Sequence, residues 1–150
     1  MSLELTRIRY ADLNARQKES YNFQKASAVL ADFGFTTLRL SDDWQGADFI
    51  AQHIDGETFL KVQLKGRPTF EQKYVGKNLY VAFEHDGAWY LYPHDEVLAV
   101  VLEATNVRNT ESWQKQGGYS FHGLSRRMAE LLEPYRVEGP DLRVSDDTTT

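Results

Sequence analysis

The chain has no cysteine. That excludes a disulfide framework, a thiolate zinc site and a cysteine nucleophile, and it fits a reducing compartment. Long hydrophobic runs are missing too: nothing approaches the roughly 18 apolar residues a membrane span requires, and residues 1–30 mix charged and polar side chains with single hydrophobes. The expectation is a soluble, cytoplasmic protein. An excess of positive charge is also absent, with 17 Lys and Arg against 22 Asp and Glu and a net charge of −5. Generic attraction to a polyanion is thereby excluded, and any contact with nucleic acid must be local. No glycine-rich phosphate loop, dinucleotide fingerprint, Gly-x-Ser-x-Gly elbow or His-Glu-x-x-His pair occurs. His53, His85, His94 and His122 show no metal-ligand spacing.

What is present suffices for one domain. A chain of 150 residues buries roughly 68–70% of its unfolded surface, so apolar contacts alone can hold it. The domain is expected over 1–137. Residues 138–150 form a polar, acidic stretch in which Glu138, Asp141, Asp146 and Asp147 outweigh Arg143, and a disordered tail is expected there.

In residues 14–33, Phe23, Ala26, Leu30 and Phe33 recur at helical spacing and Gly34 follows as a cap, which predicts an amphipathic helix. Residues 36–40 are β-prone, and 41–46 read as a loop. Two strands, 47–54 and 57–65, flank Asp55-Gly56; two more, 78–85 and 88–92, flank Asp86-Gly87. Both dipeptides suit tight hairpin turns. Residues 95–103 predict a short helix opened by Pro93 and His94, residues 106–118 a loop, 119–122 a last strand, and 125–135 a helix with Ser125 as its N-cap.

A two-residue turn at Asp55-Gly56 makes facing residue numbers add to 111, which sets Asp48 opposite Gln63. Lys65, two residues on, points the same way. The other face holds Phe49, Ala51, Leu60, Val62 and Leu64, an apolar patch that must pack on a helix. A carboxylate, an amide oxygen and an ammonium so gathered can hold a hard divalent cation and orient a water, as phosphodiester hydrolysis requires.

These residues resemble the PD-(D/E)xK nuclease superfamily, in which a first helix precedes an Asp on one strand and a (D/E)xK triplet on the next. The Asp stands in Gly46-Ala47-Asp48-Phe49 and the triplet in Gln63-Leu64-Lys65. Position 47 is Ala where the pattern has Pro, and position 63 is Gln where an acid is usual. Mrr-type relatives share the Q-x-K form. Removing an acid should weaken magnesium binding, since magnesium prefers carboxylate oxygens.

The resemblance implies an α/β fold with a restriction-endonuclease-like core, a central mixed sheet flanked by helices. It also implies a nuclease that cuts DNA rather than RNA, in which Asp48 and Gln63 hold Mg2+ or Mn2+ and Lys65 orients the attacking water. Resolvase-like relatives place a metal-binding acid on the first helix, which nominates Glu19. Trp44, Arg67, Lys73 and Lys77 are the candidate nucleic-acid contacts, by base stacking and by phosphate pairing. Asp42 and Asp43 flank Trp44 and could extend the acidic site. Small relatives of this kind pair, so a homodimer is an expectation by analogy. Two alternatives stay open: a catalytically inactive module that binds nucleic acid or protein, and a structural subunit that exposes Trp89, Tyr90 and Tyr92.

Overall fold

A computed structural model describes residues 2–137, without the side chains at positions 43 and 44. The expected tail, 138–150, lies outside the described residues.

Asn14 opens the first helix, α1 (Ala15–Ala31), through a reciprocal box. Its side chain accepts from the Gln17 N–H at 2.8 Å, and the Gln17 side chain accepts from the Asn14 N–H at 2.9 Å. Gly34, at φ +88°, turns the chain out of the helix. The helix ends two residues before the expected boundary, so Phe33 falls past it and is 46% exposed instead of completing the apolar stripe.

Eight strands follow: β1 (Phe35–Trp44), β2 (Ala47–His53), β3 (Phe59–Leu64), β4 (Thr69–Glu71), β5 (Leu79–His85), β6 (Ala88–Pro93), β7 (Gly118–Ser120) and β8 (Arg136–Val137). Six form one sheet in the order β1-β2-β3-β5-β6-β8; β4 and β7 form a separate ribbon. Only the β3–β5 pair in the large sheet is parallel. The expected mixed sheet is therefore present, and the hairpin strands β2, β3, β5 and β6 lie side by side.

Two turns depart from the sequence reading. The segment 41–46 is not a loop, because β1 runs on to Trp44 with a register irregularity after Arg39. Gln45 (φ 52°) and Gly46 (φ 88°) then make the tight turn. Two consecutive positive φ values are the signature of a hairpin turn whose twist matches its strands. Asp55-Gly56 instead sits inside a longer loop, 54–58, in which only Gly56 has positive φ. The Asp55 carboxylate holds that loop by accepting from the Glu57 and Thr58 N–H groups, both at 2.8 Å, and from the Thr58 hydroxyl at 2.7 Å. The register survives the change of turn: Phe49 faces Val62 and Ala51 faces Leu60, as expected. Asp86 (φ 50°) and Gly87 (φ 83°) form the expected two-residue turn between β5 and β6.

The layers follow from alternation along these strands. Phe49, Ala51, Val62 and Ala82 pack with Ala26 and Leu30 of α1. On the opposite face Val81, Phe83, Tyr90 and Tyr92 pack under α2 (His94–Ala104) and α3 (Arg126–Leu132). Strand β5 is covered on both sides, which explains its continuous apolar run. Tyr90 and Tyr92 are 5% and 0% exposed, so they belong to this core and not to an exposed partner surface.

Helix α2 starts at His94, and Ser125 caps α3 by accepting from the Met128 N–H at 3.2 Å. The expected last helix stops at Leu132 and continues as a tighter turn, Glu133–Tyr135. Two short helical turns, Val107–Asn109 and Ser112–Gln116, occupy the expected 106–118 loop.

The parallel step from β3 to β5 requires a crossover. Here it is made by residues 65–78, which carry β4 and the turn Gln72–Tyr74 in place of a long helix. That one segment holds Lys65, Arg67, Glu71, Lys73 and Lys77.

Candidate active site

The β2–β3 ladder stops at Phe49–Val62. His53 N–H donates to the Thr58 carbonyl at 2.9 Å, and hydrogen-bonded pairs alternate along an antiparallel ladder. A continued ladder would therefore join residues 47 and 64 through their backbones. Instead the Leu64 N–H donates to Asp48 Oδ2 at 2.7 Å. A carboxylate has taken the place of a carbonyl, the strands part, and the acid is held beside the residue that precedes Lys65. The short distance is that of a charge-assisted bond.

A cavity of about 410 Å³ opens at this parting, bordered by Asp48, Leu64, Lys65, Glu19, Arg39 and Asp42. Glu19 reaches it from α1, whose rotation is fixed one turn later by Phe23 packing edge-on against Phe49 at 5.2 Å. The Arg39 guanidinium lies 5.6 Å from the Phe23 ring centroid and donates to Ser20 Oγ at 2.9 Å. Asp48, Lys65 and Glu19 thus share one cavity. Gln63 is half-buried and is not among the described residues that line it. It alternates along β3 with Leu64, whose side chain packs in the α1 layer.

Lys65 is only 28% exposed at its side chain, and its ammonium lies 3.8 Å from Glu71 Oε2 and 5.8 Å from the Tyr74 ring centroid. Lys73 approaches the same carboxylate, 3.9 Å from Oε1. Glu71 Oε2 is buried and has no hydrogen-bond partner among the described residues. Sequence reasoning missed Glu71 and Arg39. No spacing rule links Glu71 to Lys65, because their proximity depends on where the crossover docks.

That docking is unusual in its means. Phe121 N–H donates to the Pro68 carbonyl at 2.9 Å and Gln72 N–H to the Gly117 carbonyl at 2.7 Å. The even-numbered residues of β4 therefore pair with β7, and the odd ones face outward. Thr69 N–H donates to the Tyr92 hydroxyl at 2.9 Å, and that hydroxyl donates to the Thr69 carbonyl at 2.7 Å. Glu71 N–H donates to His94 Nε2 at 3.0 Å. Since Nε2 accepts, the ring proton sits on Nδ1, where it donates to Asp95 Oδ1 at 2.8 Å. Burial pushes the Tyr92 phenol up, so it remains protonated and serves as donor and acceptor at once. Desolvation raises Asp95, but the bonds from His94 and the Gly76 N–H outweigh it and hold the carboxyl below its ordinary value. His94 is a fully buried structural histidine.

Of the candidate nucleic-acid contacts, Lys73, Lys77 and Arg67 stand exposed on the crossover. The Trp44 and Asp43 side chains lie outside the described residues. No group of three His, Cys, Asp or Glu converges as a metal site among the described residues. Magnesium is commonly bound through one or two carboxylates, with water and substrate phosphates completing its shell, and the hard oxygens of Asp48 and Glu19 fit that pattern. No described helix is long and apolar enough to cross a membrane.

Fold and side chains together define an α/β protein with a polar cleft where a mixed sheet splays. No family model matches the chain. No curated protein matches it by sequence. Among solved structures it is similar to the Holliday junction resolvase Hjc of Archaeoglobus fulgidus, at 18% identity over 47% of this chain and 74% of that one, with a TM-score of 0.38. It is also similar to the bacterial homing endonuclease I-Ssp6803I, at 14% identity over 82% of this chain and 86% of that one, with a TM-score of 0.47.

Proposed function

We propose that the protein is a metal-dependent nuclease that hydrolyses phosphodiester bonds in DNA. The observation that carries this reading is the Asp48–Leu64 hydrogen bond at the end of the ladder, which holds an acid beside Lys65 on a cavity shared with Glu19. Asp48 and Glu19, which share the cavity, are the residues that would hold Mg2+ or Mn2+; the Gln63 side-chain oxygen, outside the described lining, would join them only by turning toward it. The bound cation would neutralise phosphoryl charge and lower the pKa of the attacking water.

Lys65 would orient that water and offset the negative charge that builds on the phosphoryl oxygens as the water oxygen bonds to phosphorus and the P–O bond to the leaving sugar oxygen breaks. Glu71 steadies the Lys65 ammonium from behind. Trp44, Arg67, Lys73 and Lys77 would receive the strand on either side, by stacking and by phosphate contact. DNA is taken as the substrate from the resemblance of the Asp48 and Gln63-Leu64-Lys65 segments to the PD-(D/E)xK pattern.

The test is cleavage of labelled duplex and branched DNA with Mg2+ or Mn2+ by the wild type, Asp48→Asn and Lys65→Ala. Cleavage is expected to need metal and to fall by about 100-fold or more in both variants, while circular dichroism stays unchanged. A wild type that binds DNA but cuts none with either metal would make the chain a binding module. Variants that cut at the wild-type rate would remove Asp48 and Lys65 from the reaction.

A further inference from the structure

A second hollow, of about 540 Å³, opens beside the β4–β7 ribbon, with Arg67, Glu71, Gln116, Ser120 and His122 on its walls. Arg67 Nη1 lies 2.7 Å from His122 Nδ1. A guanidinium has no acceptor, so Nδ1 accepts and the imidazole proton sits on Nε2. The pair therefore offers only donors to the outside: the remaining guanidinium N–H groups and the Nε2–H.

Its backbone is pinned on both sides. Phe121 N–H donates to the Pro68 carbonyl at 2.9 Å, the Thr69 hydroxyl donates to the Arg67 carbonyl at 2.9 Å, and the Thr69 and Ser120 hydroxyls bond at 3.1 Å. Glu71 is the only acid among the described lining residues, and its two oxygens lie 3.8 Å and 3.9 Å from Lys65 and Lys73, which counter its charge. On the neighbouring turn, Lys115 is paired with Glu111 at 3.1 Å and does not line the hollow. Tyr119 and Ser120 of β7 are neutral.

We infer that Arg67 and His122 form a clamp for a backbone phosphate of a DNA strand, beside the cleft that Lys65 occupies. The inference rests on the nuclease reading for the identity of its ligand, and it requires DNA to be bound, not cut. A phosphate lying against the pair would accept from the free guanidinium N–H groups and from the His122 Nε2–H at once.

The experiment is fluorescence anisotropy of a labelled DNA duplex with the full chain, in EDTA, over a salt series. Arg67→Ala should weaken binding about five- to tenfold and reduce the salt slope by about 1. His122→Phe, which keeps a ring but removes both nitrogens, should weaken binding about two- to fivefold and leave the salt slope unchanged, because the ring contributes a neutral donor. If Arg67→Ala does not fold, Arg67→Lys serves instead; keeping the charge without the fork, it should lose a smaller part of the affinity.

Arg67→Ala with wild-type affinity and salt slope, or His122→Phe with wild-type affinity, overturns the clamp. A wild type that shows this pattern yet never cuts removes the nuclease reading and leaves the clamp. One that cuts, with Arg67 and His122 variants unaltered in binding, removes the clamp alone. No DNA binding at low salt in EDTA removes the clamp and leaves the nuclease reading to the metal-dependent cleavage assay.

Discussion

Replacing Tyr92 by Phe deletes one oxygen from the centre of the molecule. The ring is 0% exposed and its hydroxyl both accepts from the Thr69 N–H and donates to the Thr69 carbonyl, at 2.9 Å and 2.7 Å. Both backbone groups would be left without partners at a residue that is 7% exposed. Each unsatisfied buried group costs about 1–3 kcal/mol, so the pair costs about 2–6 kcal/mol. Against a typical domain stability of about 5–15 kcal/mol this is a large fraction. Urea unfolding followed by tryptophan fluorescence measures it, and the slope of the transition should stay unchanged because the native surface does. Tyr90→Phe is the control. Tyr90 is 5% exposed and stacks on Phe83 at 4.9 Å, and its hydroxyl has no hydrogen bond among the described residues, so the loss should stay under about 0.5 kcal/mol. DNA cleavage should fall with Tyr92→Phe, since β4 carries Glu71 to Lys65. Equal losses for the two tyrosines, or no loss at Tyr92, would refute the account of how β4 is held.

Two further outcomes are expected. Gly46→Ala should destabilise by about 1–3 kcal/mol, because φ is +88° there and the new methyl would lie 2.7 Å from Leu79 Cδ1 and 3.2 Å from Tyr74 Cδ1; a wild-type urea midpoint would contradict the turn. The Asp55 carboxyl, held down first by the Thr58 hydroxyl and then by the Glu57 and Thr58 N–H groups, should titrate at about 2 in an NMR pH series. Because that folded value lies below the ordinary 3.8, the loop is steadied above the ordinary value and loosens as pH falls toward about 2. A midpoint near the ordinary value would mean the loop bonds do not form in solution.

What could be read in the sequence was what local pattern controls. Phe49, Ala51 and Val62 announced the buried face of β2 and β3, and their alternation fixed the register even though the turn at Asp55 took a different shape. A one-residue slip would have buried charges, and that penalty reaches across a loop of any length. The strand nature of 41–44 was not legible, since Ser41, Asp42 and Asp43 are poor strand formers and only the Gln45-Gly46 turn forces them into line. Glu71 and Arg39 were invisible for another reason. Their place at the cleft is set by tertiary docking, through Tyr92 and His94 for the first and through Ser20 and Phe23 for the second. Asp48 was legible as a residue but not in its manner of binding: facing residues suggested an encounter with Gln63, whereas the carboxylate captures the Leu64 amide.

Strand β4 ends in a phenol and an imidazole where a third strand would otherwise lie. Its two outward N–H groups are already claimed, so an incoming strand meets no free amide donor along that border of the ribbon.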